Sequence, residues 1–198
     1  MQGFIILIIS FLILFLISHF SNLKPLTNFK NKSEYIPIIT SNIFADLLII
    51  FVTFSTILGN NKSWNILANW YKTFRLSAFL ADTLIGILYL LITRFLVFFL
   101  KLKPNLFMFG VYAVLVQLFF DFIFYILFSL IKKNNSYILD FFKNWAKFAK
   151  FDALWGDSIL VIFAVILSSF LNTFNLDINL FLLIFAIYLV PYFIWMKK

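Results

Sequence analysis

Six runs of apolar residues occupy most of this sequence, at 4–20, 37–58, 77–100, 105–131, 153–171 and 179–196. At 1.5 Å per residue, a helix of about 20 residues crosses a hydrocarbon core about 30 Å thick. Long continuous runs are typical of transmembrane helices, whereas barrel strands show short alternating segments. The runs therefore predict an all-α polytopic membrane protein of about six transmembrane helices, with a single transmembrane domain over residues 1–198.

The composition supports lipid as the main solvent of this chain. It is 64% hydrophobic and 12% charged, with a mean hydropathy of +1.02, whereas about a quarter of a typical soluble domain is charged. The run at 4–20 has no basic region before it and no small-residue cleavage site, so we expect a retained helix rather than a signal peptide. The chain has no cysteine and one histidine, which predicts no metal site and no cofactor.

Two amphipathic stretches, 63–75 and 136–150, lie between the second and third runs and between the fourth and fifth. Each begins with serine, a good helix N-cap, and mixes aromatic with basic residues at helical spacing. This pattern favours interfacial helices over the alternative, ordinary polar loops. The residues predicted to contact lipid headgroups are Trp70, Lys72, Arg75, Trp145, Lys147 and Lys150.

A repeat links these stretches. Residues 69–85 read NWYKTFRLSAFLADTLI, and residues 144–160 read NWAKFAKFDALWGDSIL, an ungapped offset of 75. Because this offset spans two crossings, it predicts a parallel duplication of a two-helix unit, with unit one at about 34–103 and unit two at about 109–178. The helices at 4–20 and 179–196 then lie outside the duplication. The identical pairs are Asn69/Asn144, Trp70/Trp145, Lys72/Lys147, Ala78/Ala153 and Asp82/Asp157.

Basic residues set the predicted orientation. With six crossings, the side that carries both amphipathic stretches holds twice as many lysines and arginines outside the spans as the other side. The positive-inside rule therefore predicts that both termini and both amphipathic stretches are cytosolic. The net charge of +8 indicates contact with anionic headgroups of the bilayer, not with nucleic acid. Association into a homo-oligomer is left open.

Four of the eight acidic residues fall within the apolar runs. A charged Asp near the bilayer centre costs about 2.5–3.5 kcal/mol on insertion scales, so these side chains should face inward, pair or carry a proton. Amide side chains precede two of them by four residues, on the same helix face. Cations, Arg75 and Lys150, precede the other two by seven residues, about 10 Å away. The candidates for an ion or proton pathway are Asp46, Asp82, Asp121, Asp157, Asn42 and Gln117.

Three functional hypotheses remain open at this point. The aspartates predict a small proton or cation channel or transporter, or else they are interhelical hydrogen-bond contacts of a non-catalytic structural protein. A lipid-modifying enzyme would need a polar cleft near Asp152 and Asp157. Because phosphate-binding, nucleophile and zinc motifs are absent from the sequence, we expect no enzymatic activity.

The segments FRLSAFLADTLIGILYLLITRFL, QLFFDFIFY and WGDSILVIFAVIL resemble small multi-helix membrane proteins of giant algal DNA viruses. The similarity covers the third to fifth apolar runs, about half of the chain, and rests on short apolar motifs. It implies a viral protein in a host or virion membrane, and it carries no activity.

Overall fold

In a computed structural model, residues 2–55, 62–149 and 151–197 are described, and side chains are described for all of these except 2, 62–63, 147–149 and 151–153. Throughout this part of the chain the regular structure is helical, which confirms the predicted fold class. A short 3-10 turn, Lys32–Glu34, precedes the second helix. The α-helices are α1 Gln2–Phe20, α2 Tyr35–Phe54, α3 Lys62–Phe74, α4 Leu76–Phe99, α5 Leu106–Leu130, α6 Tyr137–Ala149, α7 Phe151–Leu171 and α8 Leu176–Ile194.

Six helices of the described chain, α1, α2, α4, α5, α7 and α8, are long and apolar enough to cross a membrane. Their bounds lie within a few residues of the six predicted runs, although residues 56–58 of the second run fall outside the described part. Large apolar side chains remain exposed along the outer helices, for example Ile8 on α1 and Phe181 on α8. Lipid is the solvent in which such surfaces are stable, because water would penalise this much apolar area.

Helix α2 occupies the centre of the bundle and packs against α4, α7 and α8. Helix α5 packs against α4 and α7, and α1 covers α5 and α7 on the far side. The four helices α2, α4, α5 and α7 therefore form the core, with α1 and α8 on its flanks. The two predicted amphipathic helices are present as α3 and α6, and they contact each other.

The helix bounds follow the sequence offset. Adding 75 to the bounds of α3 gives 137–149, which are the bounds of α6, and adding 75 to the first residue of α4 gives 151, the first residue of α7. The offset maps α2 onto α5 and α4 onto α7. The α2–α4 contact then has its counterpart in the α5–α7 contact, and the α2–α7 contact has its counterpart in the α5–α4 contact. The duplication itself stays a prediction.

The two ends of the bundle are tied by different contacts. At one end, which we call the α3–α6 end, Arg75 donates a hydrogen bond of 2.8 Å from Nη1 to the Ile194 carbonyl at the end of α8, and its guanidinium lies over the Trp195 ring at 4.4 Å. Arg75 has a positive φ of 47°, which turns the chain sharply between α3 and α4. At the opposite end, the Phe107 amide donates to Ser18 Oγ at 3.1 Å and joins α5 to α1.

Candidate functional site

One tyrosine hydroxyl joins two of the predicted carboxyl groups. Tyr71 Oη on α3 lies 2.7 Å from Asp46 Oδ1 on α2 and 2.9 Å from Asp82 Oδ2 on α4. Tyr71 and Asp46 are buried, and Asp82 is half-buried. The contact connects three helices whose residues lie 25 and 11 positions apart in the sequence.

Two further donors complete this group. The Trp70 indole N–H donates to Asp82 Oδ2 at 2.9 Å, and the Thr83 hydroxyl donates to Asp46 Oδ2 at 3.1 Å. Trp70 is only 1% exposed and packs against the Phe142 ring of α6 at 5.0 Å between centroids. The prediction that Trp70 contacts lipid headgroups is therefore wrong, because its indole is a buried donor to a carboxyl group.

The position of Tyr71 also affects its own ionisation. Burial raises the pKa of the Tyr71 hydroxyl well above its ordinary range, and the nearby charges of Asp46 and Asp82 raise this pKa further. Removal of the hydroxyl proton would place a negative charge beside two carboxyl groups in a poorly solvated site. Tyr71 therefore keeps its proton and acts as a hydrogen-bond donor.

A second group forms around Asp121 on α5. Tyr89 of α4 donates its hydroxyl to Asp121 Oδ1, and Gln117 donates its amide to Asp121 Oδ2. Ser158 of α7 in turn donates to Gln117 Oε1 at 2.7 Å. The predicted amide partner of Asp121 is thus present, and the chain Ser158–Gln117–Asp121–Tyr89 links α7, α5 and α4.

Asp157 lies between the two groups and differs from the other three aspartates. It is exposed on α7, and among the described side chains no hydrogen bond to its carboxyl group is found. Its carboxyl group is close enough to Asp82 and Asp121 to interact with the charges of both. Because Asp46 and Asp82 also interact electrostatically, the four carboxyl groups form one connected set, which we call the aspartate cluster.

Two side chains predicted to be partners of aspartates, Asn42 and Arg75, make other contacts. Asn42 does not bond Asp46; its amide donates to the Ile38 carbonyl of its own helix at 2.8 Å. Its Oδ1 faces Gly86 of α4, where an added Cβ would lie only 2.4 Å away. Arg75 does not reach Asp82 either, because its guanidinium is held at the end of α8.

The remaining predicted headgroup contacts have mixed positions. Lys72 is exposed, with its ammonium 5.9 Å from the centre of the Phe54 ring. Trp145 is half-buried and stacks on Phe142. Lys150 lies outside the described residues, and the side chains of Lys147 and Asp152 lie outside the described part as well.

A buried ion pair was missed by the sequence analysis. Arg94 of α4, which is 0% exposed, contacts Glu34 Oε2 at 2.9 Å through Nη2. The same guanidinium donates to the Leu26 carbonyl at 3.0 Å and the Asn28 carbonyl at 2.7 Å. The signal in the sequence is an arginine inside an apolar run, but its partner lies 60 residues earlier, between the first and second apolar runs.

The chemistry available at the aspartate cluster is proton and hydrogen-bond exchange. Among the described residues no group of His, Cys, Asp or Glu is arranged to hold a metal ion.

Comparisons with protein-family models, curated proteins and solved structures found no match for this chain. The resemblance to viral membrane proteins therefore stays a prediction.

Proposed function

We propose that this protein is a small proton-conducting membrane protein, a channel or a transporter, in which the aspartate cluster carries the proton. The observation that supports this most directly is the single Tyr71 hydroxyl between Asp46 and Asp82. Intramembrane carboxyl groups of this kind are typical of proton relays.

The number of protons at this contact supports the proposal. A hydroxyl group donates one hydrogen bond, and an ionised carboxylate can only accept. Tyr71 can therefore donate to Asp46 or to Asp82, and the other contact forms when that carboxyl group carries a proton and donates to the phenol oxygen. Moving the proton from Asp46 to Asp82 takes two coupled transfers, one from the Asp46 carboxyl group to the phenol oxygen and one from the phenol hydroxyl to Asp82, after which Tyr71 donates to Asp46.

Asp157 brings a third carboxyl group to this pair from α7. It lies six residues after the start of α7, about 9 Å along the helix, and interacts with the charge of Asp82. Asp82 lies six residues after the start of α4, at a similar depth, while Asp46 lies eight residues before the end of α2, about 12 Å deep. The carboxyl groups thus extend inward from the α3–α6 end.

The occupied oxygen atoms favour a proton over a metal cation. Asp46 Oδ1 and Oδ2 lie within hydrogen-bond distance of the Tyr71 and Thr83 hydroxyls, and Asp82 Oδ2 lies within hydrogen-bond distance of the Tyr71 hydroxyl and the Trp70 indole N–H. A metal ion would have to displace these donors, whereas a proton can move along them. Proton conduction is therefore the better-supported form of the predicted cation transport.

Proton flux in proteoliposomes tests the proposal. A potassium gradient with valinomycin drives protons inward, and an internal pH-sensitive dye reports the flux. Asp46→Asn, Asp82→Asn and the double variant should each reduce the flux at least tenfold, because Asn holds the hydrogen bonds but cannot exchange the proton. Asp177→Asn is the matched control, since Asp177 is exposed at the start of α8. A double variant that conducts like the wild type would contradict the proposal.

One observation favours the second candidate function, a structural membrane protein. The group around Asp121 joins α4, α5 and α7, as expected of interhelical contacts that hold a bundle together. In that case Asp121→Asn should be mild, since Asn still accepts hydrogen bonds, whereas Asp121→Leu should destabilise the bundle. Wild-type protein that conducts no protons, together with this pattern of stability, would favour the structural role.

A further inference from the structure

An open groove of about 590 Å³ lies at the α3–α6 end, where α5 stops and α6 begins. Aromatic and aliphatic residues of α5 form an apolar wall, and lysines from the 131–136 connection and from α6 form a basic wall. We call it the lysine groove. The residues that line it include Tyr125, Phe128, Leu130, Lys132, Lys133 and Lys143.

The lysines of this groove form no ion pair among the described residues, and one carboxyl group, that of Asp140 on α6, accepts a hydrogen bond of 2.8 Å from the Asn134 amide in the same connection. Among the described residues the only ion pair is that of Arg94 with Glu34, at the other end of α4. Lys143 donates to the Ile131 carbonyl, which positions its ammonium but leaves its charge. Three lysines against one carboxyl group leave excess positive charge at the groove, which favours an anion between the lysines.

The groove lies where the polar part of a lipid would be. The apolar span of α5 ends at Leu130, so Lys132 and Lys133 lie two and three residues beyond the end of the span. Below them Tyr125 is 52% exposed and Leu130 is 76% exposed. A ligand that fits both walls has a negative group above and a hydrocarbon chain below.

We propose that the lysine groove is a binding site for an anionic phospholipid, with the headgroup phosphate between Lys132, Lys133 and Lys143 and an acyl chain along Tyr125 and Leu130. A free phosphate would match the lysines but would leave the apolar wall uncovered, so the lipid is the better fit. Basic residues just outside a membrane span are a known basis for anionic lipid recognition. This inference is independent of the proposed proton conduction.

Native mass spectrometry of the purified full-length chain tests the site. Delipidated protein in detergent is mixed with equal amounts of phosphatidylglycerol and phosphatidylcholine, and the retained lipids are counted, with and without excess inorganic phosphate. We expect selective retention of phosphatidylglycerol that inorganic phosphate does not displace. Displacement by inorganic phosphate would overturn the lipid assignment, and equal retention of both lipids would overturn the site.

Two variants locate the binding. The triple variant Lys132→Gln, Lys133→Gln, Lys143→Gln should lose the preference, by about fivefold for each lysine removed. The double variant Lys132→Gln, Lys133→Gln keeps the Lys143 bond to Ile131 and should lose an intermediate amount. The matched control, Lys32→Gln, Lys101→Gln, Lys103→Gln, makes the same change of charge at exposed residues of the opposite end. If the control loses the preference as much as the triple variant, total charge and not the groove selects the lipid.

Discussion

At the scale of single residues, the aspartate cluster depends on donors that come from other helices. Gln117 could be predicted as the partner of Asp121 because four residues of helix separate them. Tyr71 and Trp70 could not, because they reach Asp46 and Asp82 through tertiary contact of α3 with α2 and α4. Sequence spacing identifies partners on one helix face, and it carries no information on which helices meet.

The raised pKa of Tyr71 gives a prediction for alkaline pH. Exposed phenols lose their proton near pH 10, whereas Tyr71 should remain protonated in the folded chain at that pH. A spectrophotometric titration of folded wild type and folded Tyr71→Phe should therefore show equal numbers of phenols titrating near pH 10. A lower count in Tyr71→Phe would contradict the raised pKa.

The same shift has a consequence for stability. Above about pH 10 the unfolded chain releases the Tyr71 proton while the folded chain keeps it. The folded state binds more protons than the unfolded chain in this range. The contribution of Tyr71 to the free energy of unfolding is therefore full below about pH 10 and decreases as the pH rises toward the raised pKa. Tyr71→Phe should therefore lose less stability than the wild type between pH 9 and pH 11, as measured by unfolding in mixed detergent micelles.

The ion pair at the opposite end should be sensitive to the loss of either partner, because both side chains are buried. Glu34→Ala leaves the buried Arg94 guanidinium without a counter-charge, and breaking a buried pair in this way costs roughly 3–5 kcal/mol of unfolding free energy. Glu34→Gln should lose less because the amide oxygen still accepts a hydrogen bond. Asp177→Ala, at an exposed acidic residue, serves as control, and equal stability of Glu34→Ala and this control would contradict the role of the pair.

At the scale of helices, the apolar runs predicted the six spans closely because helix length follows from bilayer thickness. The role of α3 and α6 was only partly predictable. The amphipathic pattern of each indicates a helix with one apolar face. In the structure, part of this face packs against the other amphipathic helix. Rings of α3 and α6 pack together, as Phe74 and Phe141 do at 5.6 Å, so part of the face predicted to meet lipid is buried.

The contact of α2 with α4 depends on the missing side chain of Gly86. A Cβ at Gly86 would lie 2.4 Å from Asn42 Oδ1, whereas a Cβ at Gly156 of α7 would meet nothing within 4 Å. Gly86→Ala should therefore be less stable than Gly156→Ala by about 1–3 kcal/mol, the usual cost of overpacking. Because Ala is the better helix former, Gly156→Ala should equal or exceed the wild type.

A second substitution separates this contact from helix propensity. Asn42→Ala removes the crowded oxygen, so Gly86→Ala in the Asn42→Ala background should cost much less than in the wild type. The free energy of unfolding in mixed micelles measures both steps of this double-mutant cycle. Equal costs in the two backgrounds would show that the oxygen is not the obstacle.

At the scale of the whole molecule, the contacts divide the loops between two ends. Arg75 and Ile194 meet at the α3–α6 end, and Ser18 and Phe107 meet at the opposite end. Successive crossings place the connections alternately at the two ends, and an even number of crossings places both termini at the same end, so the relative positions of the loops were predictable from the apolar runs. The distribution of lysine and arginine predicts that the α3–α6 end faces the cytosol.

Cysteine labelling tests this orientation, and the absence of cysteine from the chain means that each engineered thiol gives the only signal. A membrane-impermeant maleimide applied to intact cells should label Lys32→Cys, Lys103→Cys and Asn172→Cys, which lie at the opposite end. It should label Asn69→Cys, Asn135→Cys and Lys197→Cys only after the membrane is permeabilised, because these lie at the α3–α6 end. All six positions are exposed, so differences in labelling report the side of the membrane and not burial. The reverse pattern would place the lysine groove and Asp157 outside, whereas labelling of both groups in intact cells would contradict a single orientation.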